Sequence, residues 1–525
     1  MFSLDERASG VLLHPTSLPG PHGNGDLGAE ARGFAEQLAS AGQRLWQMLP
    51  VGPAGLGNSP YSARSAFAGD PLLIDLDDLV ERGLLPAAGA PRFPPGRVDY
   101  GAARAFRSAR LRQAFESFRG RRRPDAFDAF REREREWLAD YALYSAIKDA
   151  SGGAEWSEWD RELRLREQEA LARARRNLSE GIELHEFAQW IFDEQWRRLK
   201  EHCERLGIAL IGDVPIFVAY DSADVWAHPE LFILDDERRP TVVAGTPPDF
   251  FSETGQRWGN PHYRWDAIAR FGYRWWLDRF GAGLDRFDVL RLDHFIGYYR
   301  VWHVPAAEAT ALNGSWSPGP REELFEALLR ERDDQPFNAE DLGLVTPEVR
   351  ALRDRFHLPG MKLLQFAFGT DLQAHDFLPH NFPRRAVAYT GTHDNDTLVG
   401  WFEDPGGKGK LRSRAQARAE RRAALAYLGK DGREIHWDAI RCLWASVAGI
   451  AIVPMQDVLG LGSEARMNTP GTDRGNWEWR MRPGAFSARL RRRLAELTRT
   501  YERWPEPAQA EVRAPATGES AEARA

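Results

Sequence analysis

Eight short apolar stretches, each ending in polar residues, constrain the fold of this chain more than any other feature. They are nearly continuous in hydrophobicity, as is typical of strands that are covered on both faces. Segments with helical periodicity separate most of them, such as TPEVRALRDRF after the fifth. The stretches are GVLLHPTSLP from Gly10, RLWQMLPVGP from Arg44, IALIGDVPIFV from Ile208, FDVLRLDHF from Phe287, PFNAEDLG from Pro336, GMKLLQFAFG from Gly360, AVAYTGTHDN from Ala386 and GIAIVPMQDVLG from Gly449. Eight strands alternating with helices predict an α/β fold, the (β/α)8 TIM barrel, in which functional residues follow the carboxyl ends of the strands.

One long segment interrupts this alternation between the second and third strands. Residues from about 78 to 200 are rich in Arg, Glu and Ala at helical spacing, which predicts a mostly helical insertion. Its alternating charges, as in FREREREWLADY, indicate a solvated helix face with ion pairs rather than a nucleic-acid surface. We expect residues 1–504 to form one barrel domain with this insertion, and residues 505–525, which lack large apolar side chains, to form a disordered tail.

The overall composition gives no indication of a charged macromolecular partner. The net charge is -7 and the isoelectric point about 6.1, so we expect neither nucleic acid nor a membrane as partner. No apolar run reaches the length of about 20 residues that a membrane span needs, and MFSLDERASG does not read as a signal peptide. The two cysteines, Cys203 and Cys442, lie far apart, which favours a reducing, cytoplasmic location.

Three acidic residues follow separate predicted strands and should meet at one barrel mouth. They are Asp293 in RLDHF, Glu340 in NAEDLG and Asp394 in THDND. Cleavage of a glycosidic bond needs a proton donor for the leaving oxygen and a second carboxylate at the anomeric carbon. A single acid at a strand end is more often a helix cap or part of a surface ion pair, but three at one mouth indicate chemistry on a sugar.

The neighbours of these acids support that interpretation. Arg291 and Asp293 are two residues apart and would share one face of a strand, so we expect Arg291 to lower the pKa of Asp293 and keep it ionised. A purely structural Arg–Asp pair is the alternative. His294 and His393 can donate hydrogen bonds to sugar hydroxyls. No His or Cys cluster has metal-ligand spacing and no Gly-rich phosphate loop follows a strand, so we expect no metal and no organic cofactor.

Glu340 and Asp341 are adjacent and would point to opposite faces of a strand. Only one of them can therefore reach the barrel mouth, and we expect it to be Glu340.

With these residues in view, the sequence resembles the 4-α-glucanotransferases of glycoside hydrolase family 77, also called amylomaltases or disproportionating enzymes. The resemblance runs from about Gly10 to Met481. It rests on GVLLHPTSLPG, NSPYSARSAFAGDPLLIDL, IGDVPIFVAYDSADVWAHP, VAGTPPDFFSETGQRWGNP, FDVLRLDHF, AEDLG, GTHDNDT and ARMNTPGT.

The resemblance implies a retaining transfer of α-1,4-glucan segments to the 4-hydroxyl of an acceptor sugar. Asp293 would be the nucleophile, Glu340 the general acid/base and Asp394 the transition-state stabiliser, with the working carboxyls about 5–5.5 Å apart. Glu340 would have to be protonated in the first half-reaction, so its pKa should be raised by burial and by nearby negative charge. Substrate-binding roles would fall to Tyr61, Asp213, Asp249, Trp258, Arg291, His294, His393 and Asn468.

The resemblance also implies a lid loop beside the cleft, at about residues 245–260. Phe250 and Phe251 would form its apolar surface, and many family members have Tyr where this chain has Phe250.

Two other functions fit parts of the sequence. A hydrolase of the α-amylase type would use the same three acids with water as acceptor. A non-catalytic glucan-binding protein would not need to keep all three. The sequence leaves open the natural donor and acceptor lengths, the formation of cyclic glucans, the oligomeric state and the thermal range.

Overall fold

A closed barrel of eight parallel strands forms the centre of the molecule. The computed structural model of the chain describes residues 2–87, 89–248, 254–332, 334–369, 373–407, 412–472 and 474–504. Each barrel strand pairs with the strands before and after it in the chain, and the eighth closes on the first. The strands are β1 Ala8–Leu12, β2 Leu45–Gln47, β3 Ala209–Val214, β4 Val289–Leu292, β5 Phe337–Ala339, β6 Gly360–Leu363, β7 Ala386–Tyr389 and β8 Ile450–Pro454. The predicted (β/α)8 barrel, with each of its eight strands, is confirmed.

The barrel strands are short and are covered on both sides. All residues of β1, β3, β4, β7 and β8 are buried, which explains the continuous apolar character of these stretches. Close packing at the first strand pair requires Gly10, because a Cβ there would lie 2.4 Å from the backbone oxygen of Leu45.

Helices surround the barrel and connect its strands. YRWWLDRFGAGL and TPEVRALRDRF, predicted as helical, coincide with the helices Arg274–Arg286, which extends two residues past the first stretch, and Pro347–Arg355. The other helices outside the β2–β3 connection are Ala29–Ser40, Ala223–Ala227, Trp265–Arg270, Ile296–Tyr299, Arg321–Glu331, Leu398–Glu403, Arg414–Leu428, Ile435–Ala445, Met455–Leu459 and Ala488–Thr500. Within the described ranges, no helix is both long enough and apolar enough to cross a membrane.

The connection between β2 and β3 is the helical insertion that the sequence predicts. Its helices are Leu76–Glu81, Tyr100–Arg119, Asp125–Arg133, Arg135–Ala150, Arg161–Arg164, Gln168–Asn177 and Ser179–Arg205. Charged side chains on its surface form ion pairs, such as Arg133 with Asp193 at 2.8 Å, as the charge pattern indicates.

The longest helix of the insertion binds the preceding segment through two buried glutamines. The side chain of Gln189 accepts the N–H of Gly69 at 2.8 Å and donates to its carbonyl at 2.9 Å. Gln195 makes the equivalent pair of bonds with the backbone of Asp75, at 2.7 and 3.1 Å. The insertion is thereby joined to the backbone of the chain that leaves β2.

A second sheet, which the sequence did not predict, lies beside the barrel mouth. Four antiparallel strands pair in the order Gln256–Pro261, Val242–Thr246, Arg300–Pro305 and Ser315–Pro318. The strand Val242–Thr246 overlaps the start of the stretch expected to form a lid, at about residues 245–260, and the strand Gln256–Pro261 overlaps its end. Residues 249–253, with Asp249, Phe250 and Phe251, lie outside the described residues.

Candidate active site

Three neighbouring strands bring acidic side chains to the mouth of the barrel. Asp213 is the fifth residue of β3, Asp293 follows β4 and Glu340 follows β5. Strand-like backbone bonds continue past the strand ends: the N–H of Asp293 donates to Val214 at 3.2 Å, and that of Glu340 donates to Leu292 at 3.0 Å. The register of the barrel thus fixes the two carboxyl groups relative to each other.

Arg291 lies at the centre of this acidic group and is almost fully buried. Its Nη1 atom is 2.5 Å from Asp213 Oδ2 and 3.2 Å from Asp293 Oδ1. Its Nη2 atom is 2.7 Å from Glu340 Oε2. One guanidinium therefore contacts all three carboxyl groups, and together they raise the already high pKa of Arg291 further against the opposing effect of burial.

Glu340 receives more hydrogen bonds at its carboxylate than Asp293 does. Besides Arg291, the backbone N–H of His294 donates to Glu340 Oε2 at 2.8 Å. His294 has φ of 45°, in the left-handed region that non-glycine residues rarely adopt. The carboxyl groups of Asp293 and Glu340 are also in hydrogen-bond contact with each other.

The pKa values of this pair are the reverse of those expected from the sequence. Burial, together with the charge of Glu340, raises the pKa of Asp293 well above its usual range, and Arg291 only partly offsets this. Burial also acts to raise the pKa of Glu340, but Arg291 and the His294 N–H outweigh it and lower that pKa. Arg291 does lower the pKa of Asp293, as expected, but the expectation that this keeps Asp293 ionised was wrong, because burial and the charge of Glu340 raise that pKa by more.

Asp341 points away from the mouth, as expected of the neighbour of Glu340. Its carboxylate forms an ion pair with Arg353 and accepts the N–H of Met361 at 2.7 Å. Asp341 therefore links the helix Pro347–Arg355 to the barrel and takes no direct part in the site.

Tyr61 and His393 form an aromatic wall beside Asp213. The hydroxyl of Tyr61 donates to Asp213 Oδ2 at 2.8 Å, and its ring stacks on that of His393 at 5.0 Å with an interplanar angle of 19°. Trp477 lies 5.9 Å from both rings and is a member of the wall that the sequence analysis missed. Its only sequence signal is its position a few residues after ARMNTPGT.

Asp394 lies on the loop after β7 and is oriented by residues that follow β8. Asn468 Nδ2 donates to Asp394 Oδ1 at 2.6 Å, and His393 Nε2 is 3.4 Å from the same oxygen. Arg466, also missed, donates to the carbonyls of Asp394 and Asn468, both at 2.7 Å. The side chain of Asp394 is 44% exposed, so it remains accessible to a ligand in the cleft.

Trp258 lies beside His294, the residue that follows Asp293. Its ring is 39% exposed and meets His294 edge to face at 5.0 Å. Burial lowers the pKa of His294, so this imidazole is neutral at pH 7 and can donate or accept a hydrogen bond. Of the eleven site residues proposed from the sequence, Asp249 alone lies outside the described residues.

The arrangement suits acid-assisted displacement at an acetal carbon. The contact between the two carboxyl groups leaves no room for a water molecule between them, which argues against the wider separation of an inverting enzyme. Within the ranges that the structure describes, no group of three His, Cys, Asp or Glu side chains could hold a metal ion.

Comparisons with known proteins agree with this chemistry. The family model described as 4-alpha-glucanotransferase, of glycoside hydrolase family 77, matches residues 13–486. The 4-alpha-glucanotransferase of Thermus thermophilus is 51% identical over 508 residues, which cover 95% of this chain and 99% of the relative. That of Synechocystis sp. is 48% identical over 510 residues, with 95% and 99% covered.

A solved structure supports the same assignment. The amylomaltase from Streptococcus agalactiae, in complex with acarbose, matches with a TM-score of 0.90 and 38% identity, over 95% of this chain and 100% of that one. The resemblance seen in the sequence is confirmed. The chain belongs to glycoside hydrolase family 77, the family of 4-α-glucanotransferases.

Proposed function

We propose that this glycosyltransferase, which acts on α-1,4-glucans, works by a retaining double displacement with Asp293 as nucleophile, Glu340 as general acid/base and Asp394 as transition-state stabiliser. The observation that carries the proposal is that the carboxyl groups of Asp293 and Glu340 both contact one guanidinium, that of Arg291, at 3.2 and 2.7 Å. A proton shared between the two groups would give the site one carboxylic acid and one carboxylate, and the reaction needs both.

In the first displacement the shared proton must be on Glu340. A glucan bound across the site would bring its glycosidic oxygen to Glu340, and the proton on Asp293 can pass to Glu340 along their hydrogen bond. Asp293 then attacks the anomeric carbon, the bond from that carbon to the leaving oxygen breaks, and Glu340 protonates the leaving oxygen. The products are a glycosyl ester on Asp293 and a free sugar with a 4-hydroxyl.

The second displacement reverses these steps with a new sugar. The 4-hydroxyl of the acceptor attacks the anomeric carbon, its proton goes to Glu340, and the carboxylate of Asp293 leaves. The new glycosidic bond has the original configuration because two inversions have occurred. Arg291 remains close to both acids throughout and favours whichever carboxylate is charged.

The residues around this pair divide into two groups. Tyr61, His393 and Asn468 lie on the Asp394 side and would hold the glucosyl unit that is transferred. Trp258 and His294 pack against each other and would contact the leaving and incoming sugars, with the exposed indole as a stacking surface. Asp249 and the lid with Phe250 and Phe251 remain predictions from the resemblance.

Maltooligosaccharides are the donors and acceptors that fit this site best. The complex of the Streptococcus agalactiae amylomaltase with acarbose supports this choice. We further propose a cytoplasmic location. The support is that both cysteines are free, with Cys203 buried and Cys442 half-buried.

Maltotriose supplied as the sole substrate tests the proposal. A transferase releases glucose while maltotetraose and longer products appear from the earliest turnovers, because a sugar accepts the glucosyl unit. A hydrolase of the α-amylase type would yield only shorter products and one new reducing end per cleavage. Trapping the ester on Asp293 with a 2-fluoro or 5-fluoro glycosyl fluoride, followed by peptide mass analysis, tests the nucleophile. A label on another residue would contradict its assignment.

A further inference from the structure

A buried carboxylate after β8 contacts the loop that carries His393 and Asp394. Asp457 lies in the short helix Met455–Leu459, which begins directly after β8, and it is 1% exposed. The loop in question, residues 390–398, leaves β7 and leads into the helix Leu398–Glu403. We call it the β7 loop.

The two oxygens of Asp457 hold the two ends of the β7 loop. The hydroxyl of Thr390, the first residue of the loop, donates to Asp457 Oδ2 at 2.5 Å. The backbone N–H of Leu398, the last residue, donates to Asp457 Oδ1 at 2.7 Å. One rigid carboxylate thus fixes the separation of two points that lie four residues before and four residues after Asp394.

Other residues hold the middle of the same loop. Gln365 Nε2 donates to the carbonyl of Asp396 at 2.8 Å, and Ser463 Oγ donates to its carboxylate at 2.6 Å. Arg466 donates to the carbonyl of Asp394 at 2.7 Å. The middle and the ends of the β7 loop are therefore held separately, and Asp457 is the residue that joins the ends.

Burial makes the charged form of the Asp457 carboxylate unfavourable. Among the described residues no Arg, Lys or His forms an ion pair with it. Burial accordingly raises its pKa to about 6, with the charge of Asp396 adding to the shift. Burial of an acid without a charged partner costs free energy that its hydrogen bonds only partly offset, and here both bonds hold the geometry of one loop.

We propose that Asp457 is a positioning residue for glucanosyl transfer, acting through the β7 loop to hold His393 and Asp394 against the bound glucosyl unit. The inference rests on the stabilising role proposed for Asp394. Asp457 touches neither substrate nor the reacting carboxyl groups, so its effect should appear in kcat and not in the binding of the acceptor. Its hydrogen bonds, rather than its charge, are what the loop requires.

The test compares Asp457→Ala with Asp457→Asn. Alanine removes both bonds, and misplacement of a catalytic group by about 1 Å lowers kcat roughly tenfold to a hundredfold. Asparagine can accept the Leu398 N–H through its oxygen and donate to Thr390 Oγ1 through its nitrogen, so it should restore kcat to within about threefold of the wild type. The KM for glucose as acceptor should change little in either variant.

A double-mutant cycle with Asp394→Asn separates positioning from loss of stability. Rates are measured with an α-maltosyl fluoride donor, which needs no proton for its leaving group and keeps slow variants measurable. If Asp457 acts through Asp394, Asp457→Ala should change kcat by less than about threefold once Asp394 has been replaced. An equal loss in both backgrounds would overturn the proposal. Near-normal activity of Asp394→Asn alone would instead overturn the role given to Asp394.

Asp288→Ala serves as the matched control. This acid lies at the opposite end of the barrel, where it accepts the N–H of Leu210 at 2.7 Å, and its loss should lower stability but leave kcat unchanged. If Asp457→Ala does not fold, Thr390→Val removes one of the two bonds at nearly constant volume. Thr390→Val should lower kcat less than Asp457→Ala does, and this loss should also be absent in the Asp394→Asn background. A loss of the same size in both backgrounds would again overturn the proposal.

Discussion

Replacing Arg291 by Met should remove activity and destabilise the barrel in a way that depends on pH. The side chain is buried and contacts three carboxyl groups, at 2.5, 2.7 and 3.2 Å. At an effective dielectric constant of about 20, each charge pair at about 4 Å contributes about 4 kcal/mol. Without the cation the acids would take up protons instead of remaining charged. This limits the loss of unfolding free energy to about 3–5 kcal/mol, the range for removing one partner of a buried ion pair.

The sign of the pH dependence follows from Glu340. In the wild type its pKa is lowered, so its contribution to stability is present above its unfolded pKa and is lost as the pH falls. In the variant, burial without Arg291 would raise the pKa of Glu340. The free-energy cost of keeping this buried carboxylate charged would therefore be largest near neutral pH. The difference in unfolding free energy between wild type and variant should therefore shrink between about pH 7.5 and about pH 5.

Urea denaturation at the two pH values measures this difference, and glucose release from maltotriose measures activity. Arg107→Met is the matched control: Arg107 is equally buried, but among the described residues its one carboxylate partner is Asp26 at 2.8 Å, and backbone carbonyls accept its other bonds. Its stability loss should depend less on pH. If Arg291→Met loses the same unfolding free energy at both pH values, or less than about 1 kcal/mol, the reasoning is refuted.

Three further results are expected. Asp293→Asn should nearly abolish transfer with the fold intact by circular dichroism, and residual activity above a few per cent would exclude Asp293 as nucleophile. Asn468→Ala removes the 2.6 Å bond to Asp394 and should lower kcat about tenfold; an unchanged kcat would show that Asn468 does not orient that acid. Dialysis against a chelator should leave activity unchanged, since the described residues contain no metal-binding group, and loss that calcium or zinc restores would contradict this.

The sequence was sufficient to locate the barrel because each strand carries its own signal. A short, fully buried strand such as β8 is apolar throughout and ends at polar residues, so the pattern is local. The antiparallel sheet was missed because its signal is not local. Arg300–Pro305 and Val242–Thr246 pair across more than fifty residues, and their mixed burial leaves no clear alternation of apolar and polar residues.

The site was predicted as a set of residues but not as a set of interactions. The spacing of Arg291 and Asp293 was enough to expect a contact between them. The stronger contact of Arg291 with Glu340 depends on the register between β4 and β5, which neither strand encodes by itself. The pKa values of the two acids depend on burial and on this contact, neither of which the spacing of residues reveals, and this is why they were assigned in reverse.

The glutamine bonds of the insertion limit how far this barrel can be shortened. A deletion that removes the helix Ser179–Arg205 would leave the buried N–H and carbonyl groups of Gly69 and Asp75 without Gln189 and Gln195. Each such unpaired group costs about 1–3 kcal/mol. A miniaturised version of the enzyme would therefore need a replacement donor and acceptor at each position, and grafting only the barrel strands and their loops would not supply them.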